Sequence, residues 1–415
     1  MYEALGLRID EGRFLEDFEA LSGIGATPEG GVHRPAFSEA HRQARRWFLS
    51  RAEEAGLDAR VDGAANHSAM LPGPAAARTL LLGSHLDSVP HGGRYDGALG
   101  VVAALEVLRT LKDSGLRLPL HLEAIDFTDE ESRYLDYLGS RALTGQLHPQ
   151  DLGTPLVDLK QFQEILSGAG LDESSLLSCA RAPAELAGYL ELHIEQGPRL
   201  ARRGLQIGAA TGIVGIRNYR FAFQGRADHS GTTPMDARRD AGLGACAFRL
   251  STQSLLLEQF PDCVATIGRM EFAPGSLNVV PAQVDVFVET RSLDQGHFDE
   301  LEAELTAEAQ AQAERYHLSL QVDRLASSPP VALDPNMRAV IHETAHALGL
   351  KAIDMPSGAG HDAQVLAPIT AAGLIFVPST GGISHNGREH TPFEDCVNGA
   401  NVLLGTTVRW ALRGR

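Results

Sequence analysis

Apolar positions along the chain switch between two periods. Phe14, Phe18 and Leu21 recur as on one helix face across residues 10–24, which close on Gly23. Residues 38–55 repeat that period, with Ser38 placed to cap the helix start and Gly56 to stop it. Residues 57–62 read as a strand, and apolar runs at 79–84 and 118–127 predict two more, while Val101, Leu105 and Leu108 give residues 97–111 a helical apolar face. Residues 150–187 mix helix and loop signals without a clear order, and 189–195 read as a short strand. Strand–helix–strand alternation, with polar residues where the strands end, predicts an α/β sheet that takes its ligand at its carboxyl edge.

Near Thr211-Gly212 the texture changes. Strands are expected at 214–223, 264–272, 283–290 and 318–325, with helices at 236–256 and 298–316. This β-α-β-β-α-β order resembles a ferredoxin-like split unit. The expectation is therefore a two-domain α/β protein, with residues 212–326 inserted into a larger domain made of 1–211 and 327–415. The larger domain resumes with helices at 336–348 and 394–412 around a strand at 374–377. No internal repeat or low-complexity segment interrupts this plan.

Composition narrows the partners. A chain of 415 residues exceeds one typical core. Its net charge of −17 argues against a nucleic-acid surface, which needs a basic patch. Cys179, Cys246, Cys263 and Cys396 are scattered, so neither a disulfide framework nor a Cys-zinc site is expected. No apolar run reaches membrane-span length. Met1-Tyr2-Glu3-Ala4 lacks the features of a signal peptide. The expectation is a cytoplasmic protein with neither nucleic acid nor membrane as partner.

Candidate chemistry starts where the strand at 79–84 runs into Gly83-Ser84-His85-Leu86-Asp87-Ser88-Val89-Pro90, followed by Asp96 in a Gly-rich turn. Imidazole and carboxylate suit a borderline cation such as Zn²⁺ or Mn²⁺. On that stretch alone, His85 and Asp87 fit ordinary polar residues at a strand end equally well. Other strand ends and Gly-rich turns add Glu130, Glu131, His193, His361 and His385. Two cations sharing a bridging carboxylate need about five protein ligands and an open position, which this set can supply. A single-ion site would leave several of these groups unmatched. His91, His121, His342, His346 and His390 match no ligand spacing.

The segments GSHLDSVPHGGRYDGALGV, DEES, ELHIEQGP, DHSGTTPMDARRDA, SLNVVP, SGAGHDA and GISHN follow one another in this chain. In that order they resemble the M20-type metallo-amidohydrolases. The resemblance is to the branch of N-carbamoyl-L-amino-acid hydrolases, allantoate and ureidoglycolate amidohydrolases and β-ureidopropionases. It covers nearly the whole chain and implies two divalent ions (Zn²⁺, Mn²⁺ or Co²⁺) in a dinuclear centre. His85, Asp96 and His193 would hold one ion. Asp96 would bridge to the second, completed by Glu131 and His385. Asp87 would orient His85 through its other ring nitrogen, and Glu130 would be the general base. From the inserted domain, His229 would polarise the scissile carbonyl, while Asn278 and Arg291 would bind a substrate carboxylate. Gln196 would contact the ureido end, and His361 would line the site or brace its Gly-rich loop. The resemblance further implies a homodimer through the inserted dimerisation and lid domain, with His229 and Asn278 acting in cis or across the interface. Where the family pattern has Glu-Glu-Gly, this chain has Glu130-Glu131-Ser132, in a segment one residue shorter, so a differently built turn is expected there.

The expected activity is hydrolysis of the carbamoyl C–N bond of an N-carbamoyl-L-amino acid or related ureido acid, including allantoate or ureidoglycolate. A metallo-deacylase or exopeptidase is the second reading. A non-catalytic binding protein is a third, disfavoured because every ligand position and the base are filled.

Overall fold

The computed structural model describes residues 6–413. It divides into two compact units, Met1–Thr211 with Leu333–Arg415, and Gly212–Ala332. The return to the larger unit comes at Leu333 rather than at residue 327. The last long strand of the smaller unit runs on to Ser328, and Val331 and Ala332 then pair with Ile213 and Gly212. In chain order the strands are β1 (Asp58–Val61), β2 (His67–Leu71), β3 (Thr79–His85), β4 (His121–Phe127), β5 (Leu186–Ile194), β6 (Ile207–Ile213), β7 (Gly215–Gln224), β8 (Val264–Ala273), β9 (Gln283–Ser292), β10 (Ser319–Ser328), β11 (Val331–Ala332), β12 (Ala352–Ser357) and β13 (Ala372–Val377).

The larger sheet runs β1-β2-β4-β3-β5-β13-β6, with β12 added on β6. Its centre is parallel: β3 pairs in parallel with β4 and β5, and β5 with β13. The carboxyl ends of these four strands therefore open on one edge. β3, β5 and β13 are buried throughout, which is why they read as continuous apolar runs. The helix Ala98–Asp113 packs on β3 and is covered by helices Glu11–Gly23 and Phe393–Arg413. Every residue from 98 to 111 is buried, as its nearly all-round apolar sequence requires. Ser38 does cap its helix, accepting from His41 N–H, and Gly56 follows at φ 64°.

Three strands escape the apolar pattern. β2 carries His67 and Ser68, β12 carries Asp354 and Pro356, and β6 is Gly- and Ala-rich. Their pairing partners, not their own propensities, make them strands. Residues left unordered by sequence fold as short helices, among them Leu159–Gly168 and Glu173–Ser178, each capped by an Asp side chain. Phe162, Leu166 and Leu176 join Tyr134 and Leu138 in a separate apolar cluster.

The smaller unit is a sheet of order β10-β7-β9-β8 with antiparallel neighbours. Val284, Val286 and Val288 of β9 point to one face, with Tyr219, Phe221 and Phe223 of β7. Phe248 of helix Ala241–Gln259 and Leu301 and Leu305 of helix Gln295–Arg315 close this core. Among the described residues no helix is long and apolar enough to cross a membrane.

Candidate metal centre

The carboxyl edge of the parallel strands gathers most of the expected ligands. His85 ends β3, Glu130 and Glu131 follow β4, and His193 lies one residue from the end of β5. His385 comes from the loop after β13, at a left-handed φ of 52°. Asp96 sits just before helix Ala98–Asp113, where the helix dipole favours an anion. Gly97 makes this approach possible. Its φ is 63°, and an added Cβ would lie 2.4–2.5 Å from the His85 ring.

Asp96 divides its two oxygens between two sets of partners. Oδ1 lies 3.1 Å from His193 Nε2 and 3.7 Å from His85 Nε2. Oδ2 lies 3.3 Å from His385 Nε2, which is itself 3.7 Å from Glu131 Oε2. The ligand atoms of His85, Asp96 and His193 lie within 4.8 Å of one another, as do those of Asp96, Glu131 and His385. Glu130 Oε2 stands 3.4 Å from His85 Nε2.

The donor chemistry fits cations. His85 Nδ1 is 3.0 Å from the Asp87 carbonyl oxygen and His193 Nδ1 is 2.9 Å from that of Ile194. Those contacts assign the ring proton to Nδ1 and leave Nε2 lone pairs facing carboxylate oxygens. Such a pairing is repulsive unless a proton or a cation lies between. Burial, then the charge of Asp96, pushes the Glu131 carboxyl up to about 8. Burial also drives Glu130 well above its usual range, with Asp362 and Glu131 adding to the effect. Burial opposes ionisation of Asp96 too, but hydrogen bonds from His193 and His385 hold it well below the usual range. His193 and His385 in turn rise to about 9. Mixed imidazole and carboxylate donors of this kind suit Zn²⁺, Mn²⁺ or Co²⁺.

Asp87 differs from expectation. Its backbone carbonyl, not its carboxylate, meets the second nitrogen of His85. The Asp87 carboxylate instead accepts the N–H groups of Glu130 (3.4 Å) and Glu131 (3.2 Å), so it fixes the backbone that carries both carboxylates. The turn that follows keeps the left-handed conformation that a glycine favours, so the expected rebuilding does not appear at this position. Ser132 adopts φ 54° without being glycine. Asp129 accepts the N–H groups of Arg133, Tyr134 and Leu135 at 2.8–2.9 Å and holds the turn closed.

His361 is buried beneath His193, with ring centroids 4.4 Å apart and Nε2 2.9 Å from Ser357 Oγ. That position sets it against His193, with one ring nitrogen held by the Gly-rich loop. Gln196, at φ 57°, donates to Asp96 Oδ2 (3.0 Å), while its buried Oε1 has no hydrogen-bond partner. Two contributors escaped the sequence reading. Glu191 accepts Ser84 O–H (2.8 Å) and Ala363 N–H (3.0 Å), and Glu389 holds the backbone at Asp96. Their signals were a lone acid inside the apolar run of β5 and an acid a few residues beyond His385.

Within the smaller unit, His229 and Asn278 lie together. His229 bridges to Val279, and Ser230 N–H donates to the Asn278 carbonyl at 3.1 Å. Both residues are exposed. Arg291 lies elsewhere, near the far end of β9 opposite Ile216, with its guanidinium 2.8 Å from Glu289.

The profile of peptidase family M20/M25/M40 matches residues 81–409. An N-carbamoyl-L-amino acid amidohydrolase of Geobacillus stearothermophilus is 36% identical, covering 96% of this chain and 98% of its own. A ureidoglycolate hydrolase of Arabidopsis thaliana is 33% identical, over 99% of this chain and 88% of its own. The crystal structure of a hydantoinase/carbamoylase family amidase from Burkholderia ambifaria superposes with a TM-score of 0.90 at 33% identity, covering 98% of both chains. The chain belongs to peptidase family M20/M25/M40. It is a metal-dependent hydrolase of C–N bonds.

Two measurements check this description. Ser132→Gly should stabilise the fold by about 1 kcal/mol in urea unfolding, because it relieves a left-handed φ. Loading the metal-free chain with Mn²⁺ at neutral pH should release protons, since Glu131, His193 and His385 (about 8, 9 and 9) then hold protons that a ligand must lose. Affinity should fall as pH falls, and the release should fade above about pH 9. A neutral-pH titration without acidification would remove these groups from the ligand set.

Proposed function

We propose that the chain is a two-domain, dinuclear amidohydrolase that cleaves the ureido C–N bond of an N-carbamoyl-L-amino acid or a related ureido acid. The division of Asp96 between two imidazole groups carries the two-ion part of this reading. One divalent cation (Zn²⁺, Mn²⁺ or Co²⁺) belongs with His85, Asp96 and His193, the other with Asp96, Glu131 and His385. When bound, such ions supply Lewis acidity that eases deprotonation of water and polarises a carbonyl. Glu130 takes the proton from the attacking water and returns it to the leaving nitrogen. Water adds to the ureido carbon, its C–N bonds are cleaved, and amine, ammonia and CO₂ leave. The orphaned Oε1 of Gln196 suits an acceptor for a ureido N–H, a donor that a simple acyl group lacks at that place. Arg291, with Asn278, suits the acid's carboxylate, and His229 suits the oxyanion. His361 stays a brace for His193. Allantoate and ureidoglycolate remain within the same substrate class. The four unpaired cysteines favour a reducing, cytoplasmic compartment.

We further propose a homodimer through the inserted domain. β9 separates Arg291 from the His229–Asn278 pair. At about 3.3 Å per residue, the stretch from Gln283 to Arg291 alone spans about 26 Å, and the pair lies beyond Gln283. One small substrate is too short to reach both ends in one chain, so His229 and Asn278 would come from a second copy. Leu243, Leu250 and Leu257 form an exposed heptad-spaced stripe on helix Ala241–Gln259, and Val264 and Phe272 are exposed on edge strand β8. Both suit a second copy of the same surface.

Glu130→Gln should abolish ammonia release from N-carbamoyl-L-amino acids while leaving metal content intact; metal loss would make Glu130 a ligand instead. The intact enzyme should release ammonia from at least one ureido acid. Acetate from N-acetyl-amino acids with no ammonia would favour the deacylase. Unfolding and refolding Glu130→Gln together with His229→Ala should restore about a quarter of wild-type activity, because each mixed dimer regains one complete site. No recovery would place His229 in cis.

A further inference from the structure

The buried carboxylate of Glu389 joins two loops that carry candidate ligands. Its Oε1 accepts the N–H groups of Tyr95 (2.9 Å) and Asp96 (3.1 Å). Its Oε2 accepts the hydroxyl of Ser384 at 2.8 Å, the residue next to His385. Ser384 Oγ also lies 3.3 Å from Asp96 Oδ2. Glu389 is only 5% exposed, so these donors are what make its burial tolerable. The place is prepared from the other side. A Cβ on Gly93 would lie 1.9 Å from Glu389 Oε1 and 2.3 Å from Oε2, so a glycine there admits the carboxylate. Glu389 thus ties the backbone of Asp96 to the loop of His385, although 293 positions separate it from Asp96.

We infer that Glu389 is a positioning residue that fixes the bridging Asp96 relative to His385, with Gly93 as the space that admits it. The inference rests on the two-ion reading above. Glu389 touches neither ion nor substrate; it acts through the main chain of Asp96 and the hydroxyl of Ser384. A carboxylate bridge needs both oxygens aimed within a few tenths of an ångström. Asp96 reaches that aim only if its own backbone is held against the loop of its second partner.

Calorimetric titration of Mn²⁺ into the metal-free wild type, Glu389→Gln, Glu389→Ala and Gly93→Ala tests this, with melting of each metal-free protein beside it. Wild type should take up two ions. Glu389→Ala should bind at least one of them about 10–100-fold more weakly. Gly93→Ala should behave likewise, since its methyl displaces the carboxylate. Glu389→Gln keeps an oxygen for the two N–H groups and should remain near wild type. Metal-free Glu389→Gln should melt like wild type, and all four metal-free proteins should stay folded at the titration temperature. Wild-type affinity for both ions in Glu389→Ala would overturn the inference. So would a Gln variant as weak as the Ala variant, which would make charge rather than grip the relevant property. Metal-free Glu389→Ala that is unfolded at the titration temperature, or that weakens both ions only in proportion to its unfolded fraction, would reduce Glu389 to a structural role. A wild type that takes up a single ion would sink the two-ion reading itself, and the inference with it.

Discussion

The cost of burying negative charge organises the larger unit. Asp87, Asp96, Asp126, Asp129, Glu130, Glu191 and Glu389 are all buried, most of them near one edge of one sheet. An isolated carboxylate is far too costly in such a place unless it is paired, hydrogen-bonded or neutralised. The protein answers with three devices. Arg45 pairs with Asp126 at 2.8 Å. Arg34, fully buried with its guanidinium donating to backbone carbonyls, adds positive charge near Asp87 and Asp126. Backbone and hydroxyl donors satisfy Asp87, Asp129, Glu191 and Glu389.

That accounting sorts the acids by function. Asp87, Asp129, Glu191 and Glu389 spend their oxygens on the frame: the turn after β4, the segment under His361, the backbone at Asp96. Asp96, Glu130 and Glu131 face imidazoles instead. Each of these three keeps an oxygen turned to an imidazole, although Glu131 also accepts Val89 N–H at 3.3 Å. His85 and His193 follow the same rule, each committing one nitrogen to a carbonyl and presenting the other. Hydrogen bonds of the first set hold the loops from which the second set projects, which is what the proposed metal centre would require.

The smaller unit obeys a constraint of length. A ten-residue strand, β9, keeps a guanidinium near one end and an imidazole–carboxamide pair beyond the other. Antiparallel pairing with β7 leaves no freedom to shorten that distance. That separation, with the exposed leucine stripe, is what supports the homodimer proposed above.

Much of this was legible in residue order. Continuous apolar runs marked β3 and β4 because strands buried on both faces carry no polar alternation. His85, Asp96, Glu130, Glu131, His193 and His385 stood out because several imidazoles and carboxylates recur at strand ends and on Gly-rich turns, a set that together matches metal-ligand chemistry. β2, β6 and β12 did not stand out, since their strand character comes from neighbours. Glu191 and Glu389 were passed over because a lone acid looks the same in sequence whether it meets solvent or three buried donors. By itself, then, the sequence determined which chemical groups arrive at the carboxyl edge and in what order, through periodicity and turn residues. Only the tertiary structure decided which oxygen faces which imidazole, that the Asp87 carbonyl rather than its carboxylate meets His85, and that Glu389 grips Asp96. Those outcomes depend on contacts between loops far apart in the chain, where local spacing carries no information about direction.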